Sequence, residues 1–120
     1  MYKVLRGREG ERLARKRLEK LGYRILETNY RTGEGEIDIV AMEGDTVVFV
    51  EVKTRSRGGL TGALEAVDSR KIKKISEAAL QYITEKGLHQ MTVRFDVVAV
   101  DMSRFRPKIT VIKNAFESAI

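Results

Sequence analysis

Cysteine is absent from the 120 residues, which excludes disulfides and thiolate metal sites. Histidine occurs once, at His89, just past Gly87, with no base-and-nucleophile arrangement around it, so no histidine chemistry is expected. Proline also occurs once, at Pro107, between two strand-like runs. Apolar runs such as Val47–Val50 stop at four residues, far short of a membrane span. Met1–Arg17 is studded with arginine and holds no apolar stretch, so a secretory signal is not expected. Neither a phosphate-cradling P-loop nor a dinucleotide fingerprint is present. Internal repeats, low-complexity tracts and linkers are missing too. These absences point to a soluble protein of the cytoplasm with no membrane contact.

What remains suits one domain spanning residues 1–120. Hydrophobic residues make up 42%, enough for a core, and the 33% that are charged are mixed in sign, which argues against disorder. The net charge is +6 and the isoelectric point about 9.7, as suits a polyanionic partner such as nucleic acid. The charge is also segregated. Residues 1–24 carry nine Lys/Arg against three Glu, and residues 53–74 carry seven Lys/Arg against Glu65 and Asp68. An evenly solvated surface does not predict that distribution.

Hydrophobic spacing predicts a helix over 8–22, with Leu13, Ala14, Leu18 and Leu21 on one stripe and Gly22 at its end. Strands are predicted over 23–30, 36–42 and 46–54, the last two rich in β-branched residues. Residues 55–62 read as a basic, glycine-rich loop. A second helix is predicted over 69–86, with Ser69 as N-cap and Ile72, Ile75, Ala79, Tyr82 and Ile83 facing inward. Two further strands follow over 92–101 and 108–113. The order α-β-β-β-α-β-β predicts an α/β fold with a mixed central sheet flanked by helices.

Gly44-Asp45 between the two central strands favours a tight hairpin. That turn sets Met42 against Val47, Val40 against Phe49, Asp38 against Glu51 and Glu36 against Lys53. Opposed residues have Cβ atoms roughly 4.5–5.5 Å apart, and residues two apart share a face. Asp38, Glu51 and Lys53 then form one cluster. Opposed carboxylates repel unless one is protonated, a cation lies between them, or Lys53 screens them. A hard divalent cation such as Mg²⁺ is the natural partner of such oxygens. The plainer alternative is an exposed ion pair worth about 0–1 kcal/mol. However, the strand is apolar on both faces, as a covered central strand is, so charges at its end call for an explanation.

Glu11 falls in line with Ala14, Leu18 and Leu21, at the edge of the inward stripe. It reads equally well as a site residue or as a favourable first-turn charge. Arg70, Lys71, Lys73 and Lys74 crowd the start of the second helix, where the dipole disfavours cations. With Arg55 and Arg57 in the preceding loop, Arg70, Lys71 and Lys74 are candidates to grip a phosphate backbone; a merely solvated charged face is the alternative.

The strings Gly35-Glu36-Ile37-Asp38-Ile39-Val40 and Val48-Phe49-Val50-Glu51-Val52-Lys53-Thr54-Arg55 resemble the PD-(D/E)XK nuclease superfamily. There an Asp on one strand is followed by Glu-x-Lys on the next. Gly10-Glu11, Leu21-Gly22-Tyr23, Asn29, Arg31, Lys71 and Arg94-Phe95-Asp96-Val97-Val98 extend the likeness. Together, from about Arg8 to Val100, they resemble the YraN family of small bacterial endonuclease-like proteins, distantly similar to archaeal Holliday junction resolvases. The resemblance implies a restriction-endonuclease-like fold. It implies Asp38 and Glu51 as metal ligands, Lys53 as the third signature residue, and Glu11 as the acid that related resolvases carry on the first helix. Ile37 stands where the superfamily name has proline.

The expectation is a Mg²⁺- or Mn²⁺-dependent endonuclease acting on nucleic acid, DNA above all. Asp38, Glu51, a carbonyl near Val52 and Glu11 would hold the metal, and Lys53 would serve the reacting phosphate. Paired cuts at a branched substrate would imply a homodimer, with 108–113 as one candidate interface. Two rivals remain: a non-catalytic nucleic-acid-binding protein on a nuclease scaffold, and a protein-interaction role with incidental basic charge.

Overall fold

The computed structural model describes residues 2–56, 59–103 and 105–120, with side chains from Gly7 onward. Eight elements follow in order: α1 (Tyr2–Lys20), β1 (Arg24–Arg31), β2 (Glu36–Glu43), β3 (Thr46–Arg55), α2 (Gly59–Glu65), α3 (Ser69–Lys86), β4 (Thr92–Asp101) and β5 (Lys108–Ile112). The strands lie side by side in chain order as one five-stranded sheet. β3 and β4 are parallel and the other neighbouring pairs antiparallel. The sheet is mixed and flanked by helices, the expected restriction-endonuclease-like arrangement, because a parallel pair needs a helical crossover between its strands. No described helix is long and apolar enough to cross a membrane.

The sheet carries one apolar cluster on each face. On one side Ala14 and Leu18 of α1 pack on Ile39, Ala41, Val48, Val50, Val98 and Val100. On the other, Ile75, Ala78, Ala79 and Tyr82 of α3 pack on Val40, Val47, Phe49 and Phe95. β3 is buried on both faces, as its continuous apolar run requires. The β2–β3 ladder pairs Met42 with Val47 and Val40 with Phe49, the register that the Gly44-Asp45 turn dictates.

Four local expectations are corrected. α1 begins at Tyr2 and stops at Lys20, so Leu21 lies beyond the helix at 52% exposure and off the inward stripe. Asp68, not Ser69, caps α3: its carboxylate accepts the Lys71 N–H at 3.0 Å from an extended backbone. The segment read as a loop over 55–62 instead contains β3's end and the start of α2. Seven residues are too few for a helical period to show, yet Leu60, Ala63 and Leu64 have its spacing, and Ala63 is buried. Finally, β5 ends at Ile112 rather than 113.

Two glycines set the helices at the distances the site needs. A Cβ on Gly10 would collide with the Thr54 side chain, so α1 lies directly against β3 there, beside Glu11. A Cβ on Gly35 would lie 2.8 Å from the Lys74 carbonyl oxygen, so the turn before β2 rests directly on α3. Thr32 Oγ1 holds that turn, accepting the N–H of Glu34 and of Gly35 at 3.0 Å each.

Under α1, toward the far end of the sheet from Lys53, a polar cluster interrupts the core. Asp96 is fully buried. Arg94 donates to both of its carboxylate oxygens, from Nε at 2.8 Å and an NH2 nitrogen at 2.9 Å. The Tyr23 hydroxyl donates to it at 2.8 Å, and the Asn114 N–H at 2.9 Å. Arg94 also reaches Glu43 at 2.8 Å, which Lys113 pairs at 2.6 Å. The cluster ties α1's end, β2, β4 and the chain after β5 together.

Candidate active site

β2 parts from β3 where the chemistry is concentrated. The ladder ends at Ile39–Val50, and Ile37 shares a cluster with Val40, three residues on, so strict alternation slips around Asp38. Asp38 thus does not form a ladder pair with Glu51. Its Oδ2 instead turns across and accepts the Val52 N–H at 2.7 Å, replacing the lost backbone partner. The Asp38 and Glu51 carboxyls still come within hydrogen-bonding reach of each other. Glu36 does not meet Lys53, as the extended register had it. It lies opposite Arg31, with an ion pair at 3.6 Å.

Glu51 is only 3% exposed, and two ammonium groups converge on its Oε2: Lys53 Nζ at 3.2 Å and Lys71 Nζ at 3.3 Å. Lys53 is itself mostly buried. Burial first, and then the Glu51 charge, push the Asp38 carboxyl up to about 8. Burial and the neighbouring Glu51 charge thus favour the protonated form of the Asp38 carboxyl. Glu11 is raised as well, by burial and by the charges of Glu36 and Glu51. Glu11, Asp38 and Glu51 thus lie within electrostatic reach of one another.

The donor set fits a hard divalent ion. Among the described residues no three carboxylate, imidazole or thiolate groups close into a cluster able to hold a metal. Mg²⁺ does not require one: it keeps several waters and takes one or two carboxylates. Asp38 and Glu51 would supply those. A residue's N–H and C=O leave a strand on the same side, so the Val52 carbonyl faces the gap where β2 has parted. Glu11 lies beyond, in a cleft of about 290 Å³ that it lines with Arg8, Arg12, Arg15, Asn29 and Asp38.

The sequence-derived candidates divide accordingly. Asp38, Glu51, Val52 and Lys53 stand together, with Glu11 at the cleft wall. Lys71, expected among the backbone-gripping cations, is inside this group. Lys74 shares Lys71's face of α3 one turn on and is exposed, as is Arg70. Arg55, half-buried, donates to the Thr54 carbonyl at 3.0 Å. Arg57 lies outside the described residues. Asn29, which the sequence marks only as part of the family likeness, has a part in the site itself. It lies on β1 opposite Asp38 of β2, between the pairs Thr28–Ile39 and Tyr30–Ile37, in the left-handed region at φ 53°. With its amide nitrogen turned to the acids it donates to Glu11 at 3.0 Å and Glu36 at 3.2 Å. An asparagine inside a strand was the available signal, since asparagine tolerates that backbone and is rare in strands.

Comparison with known proteins places these residues in one family. The model described as "Uncharacterised protein family UPF0102" matches residues 10–100, a span that runs from Gly10 through the β2–β3 carboxylates and α3 to Val100 in β4. A UPF0102 protein of Geobacter sulfurreducens is 48% identical over 114 residues, covering 94% of this chain and 89% of the relative. One from Syntrophus aciditrophicus is 48% identical over 113 residues, with the same two coverages. One from Moorella thermoacetica is 46% identical over 118 residues, covering 97% and 98%. The chain belongs to the UPF0102 family, which is the YraN family that its GEID and EVK strands resemble.

Proposed function

We propose that this protein is a metal-dependent nuclease of the cytoplasm that hydrolyses phosphodiester bonds in nucleic acid, with DNA, including branched or repair intermediates, as its substrate. The observation that carries the reading is the Asp38–Glu51 carboxyl pair, largely buried at the point where β2 parts from β3, with Lys53 and Lys71 converging on Glu51. Asp38, Glu51 and the Val52 carbonyl, with Glu11 at the wall, would hold Mg²⁺ or Mn²⁺. When bound, the ion would polarise a phosphate and lower the pKa of a coordinated water. The chain's own residues do the rest. Lys53, held at Glu51 and shielded from solvent, presents a fixed positive charge to the phosphate as negative charge develops on it. Lys71 presents a second from α3. Asn29 holds Glu11 in place. Arg70 and Lys74 on α3, with Arg8 and Arg15 at the cleft, meet the flanking backbone. A homodimer joined through the β5 edge would place two such sites for paired cuts.

Lys53→Met is expected to lower cleavage of labelled DNA at saturating Mg²⁺ about 10²–10³-fold, since it removes one preorganised charge. Mg²⁺ binding, followed by calorimetry, should survive the substitution. Unchanged cleavage would remove Lys53 from the mechanism. Salt-sensitive DNA binding without turnover in any metal would favour the rival reading, a nucleic-acid-binding protein on a nuclease scaffold.

A further inference from the structure

Phe105 stands apart from every other described apolar side chain. It is 101% exposed, whereas the other large exposed hydrophobic residues lie between 38% and 59%. It belongs to the run Phe105-Arg106-Pro107-Lys108 that leads from β4 into β5, where Arg106 and Lys108 are also exposed. The root of the loop is held. Asp101 Oδ1 accepts the Ser103 N–H at 2.9 Å and its hydroxyl at 2.6 Å, and the Met102 N–H donates to the Arg55 carbonyl at 2.7 Å. Pro107 fixes φ where the chain enters β5.

The loop leaves the sheet at the end where the carboxylates lie. Asp101 pairs with Arg55, four residues beyond Glu51 on β3, or about 13 Å along the strand. A fully exposed phenyl ring adds nothing to the core. Set among cations on a basic protein, it has the chemistry of a platform for a nucleobase: the ring covers a base face while the cations meet adjacent phosphates. Bases in a duplex are already covered by their neighbours, so such a ring has access only to an unpaired one.

We propose that Phe105 is a base-stacking residue, taking an unpaired base of a nucleic-acid strand whose phosphates Arg106 and Lys108 hold. The inference rests on the nucleic-acid reading above but does not depend on cleavage. The chain has no tryptophan, so Phe105→Trp installs a single indole reporter at the site. In chelator, a single-stranded oligonucleotide should quench that fluorescence and a blunt duplex should not. Phe105→Ala should bind the single strand about tenfold more weakly, with duplex affinity unchanged. Equal single-strand affinity of the wild type and Phe105→Ala, or no quenching on binding, overturns the inference. So does self-association of the wild type that Phe105→Ala abolishes with nucleic-acid binding intact, because Phe105 is then a contact between copies. A wild type that binds no nucleic acid overturns this inference and the proposed function together. Quenching with no cleavage in Mg²⁺ supports the stacking site and removes the nuclease.

Discussion

Asp96→Ala is expected to cost about 3–5 kcal/mol, the usual consequence of removing one partner from a buried ion pair. Four hydrogen bonds meet on this carboxylate: two from Arg94 and one each from Tyr23 and the Asn114 backbone. Its loss leaves the partly buried Arg94 guanidinium, which the Asp96 bonds hold firmly protonated, with Glu43 as its remaining carboxylate partner. It also strands the Tyr23 hydroxyl, whose proton is retained by burial and by the same carboxylate. Against a total stability of about 5–15 kcal/mol, that loss should leave much of the protein unfolded at growth temperature. Urea or thermal denaturation would measure it. A change below about 1 kcal/mol would mean that water replaces the cluster at little cost.

Asp38→Asn should separate stability from metal binding. The folded carboxyl keeps its proton up to about 8, whereas in the unfolded chain it ionises near its ordinary value of 3.8. A raised folded pKa contributes stability that is fully present below pH 4 and is lost as pH climbs toward 8. An asparagine here still accepts the Val52 N–H and can donate to Glu51, without that loss. In the absence of metal at pH 8, Asp38→Asn is expected to be more stable than the wild type by about 2 kcal/mol, or roughly 8 °C in Tm, allowing for Asp38's partial exposure. At pH 4 the two should melt together. Adding Mg²⁺ at pH 8 should raise the wild-type Tm and leave the variant unmoved. A variant less stable than the wild type at pH 8, or one that still responds to Mg²⁺, contradicts this reading of the pair.

Much of this arrangement is legible in the sequence because two strong local signals agree. Gly44-Asp45 fixes the hairpin register, and the double-sided apolar run of β3 puts that strand in the middle, so Asp38 and Glu51 have to meet near its end. What the sequence hides comes from departures from regularity and from long-range packing. The slip at Asp38 swings its carboxyl onto the Val52 N–H, and no pattern in residues 36–42 announces it. Lys71 reaches Glu51 through the packing of α3 on the sheet, where the Gly35 turn lies against Lys74, a contact between segments 39 residues apart. Charge crowding on the first turn of α3 marks Lys71 as unusual, but not which of the four cations turns inward. Asp96 in an apolar strand is a visible anomaly, yet whether it serves chemistry or cohesion depends on Tyr23 and Arg94 lying against it.

The most direct test is cleavage of labelled linear, single-stranded and four-way DNA in Mg²⁺ or Mn²⁺ by wild-type protein and by Glu51→Gln purified identically. The substitution keeps the shape of the side chain but withdraws the charge that Lys53 and Lys71 meet and that a divalent ion needs. Cleavage by the wild type that chelator abolishes is expected, with a loss on the order of a thousandfold or more in Glu51→Gln. Equal cleavage by both proteins, or none by either in any metal, would contradict the proposed function.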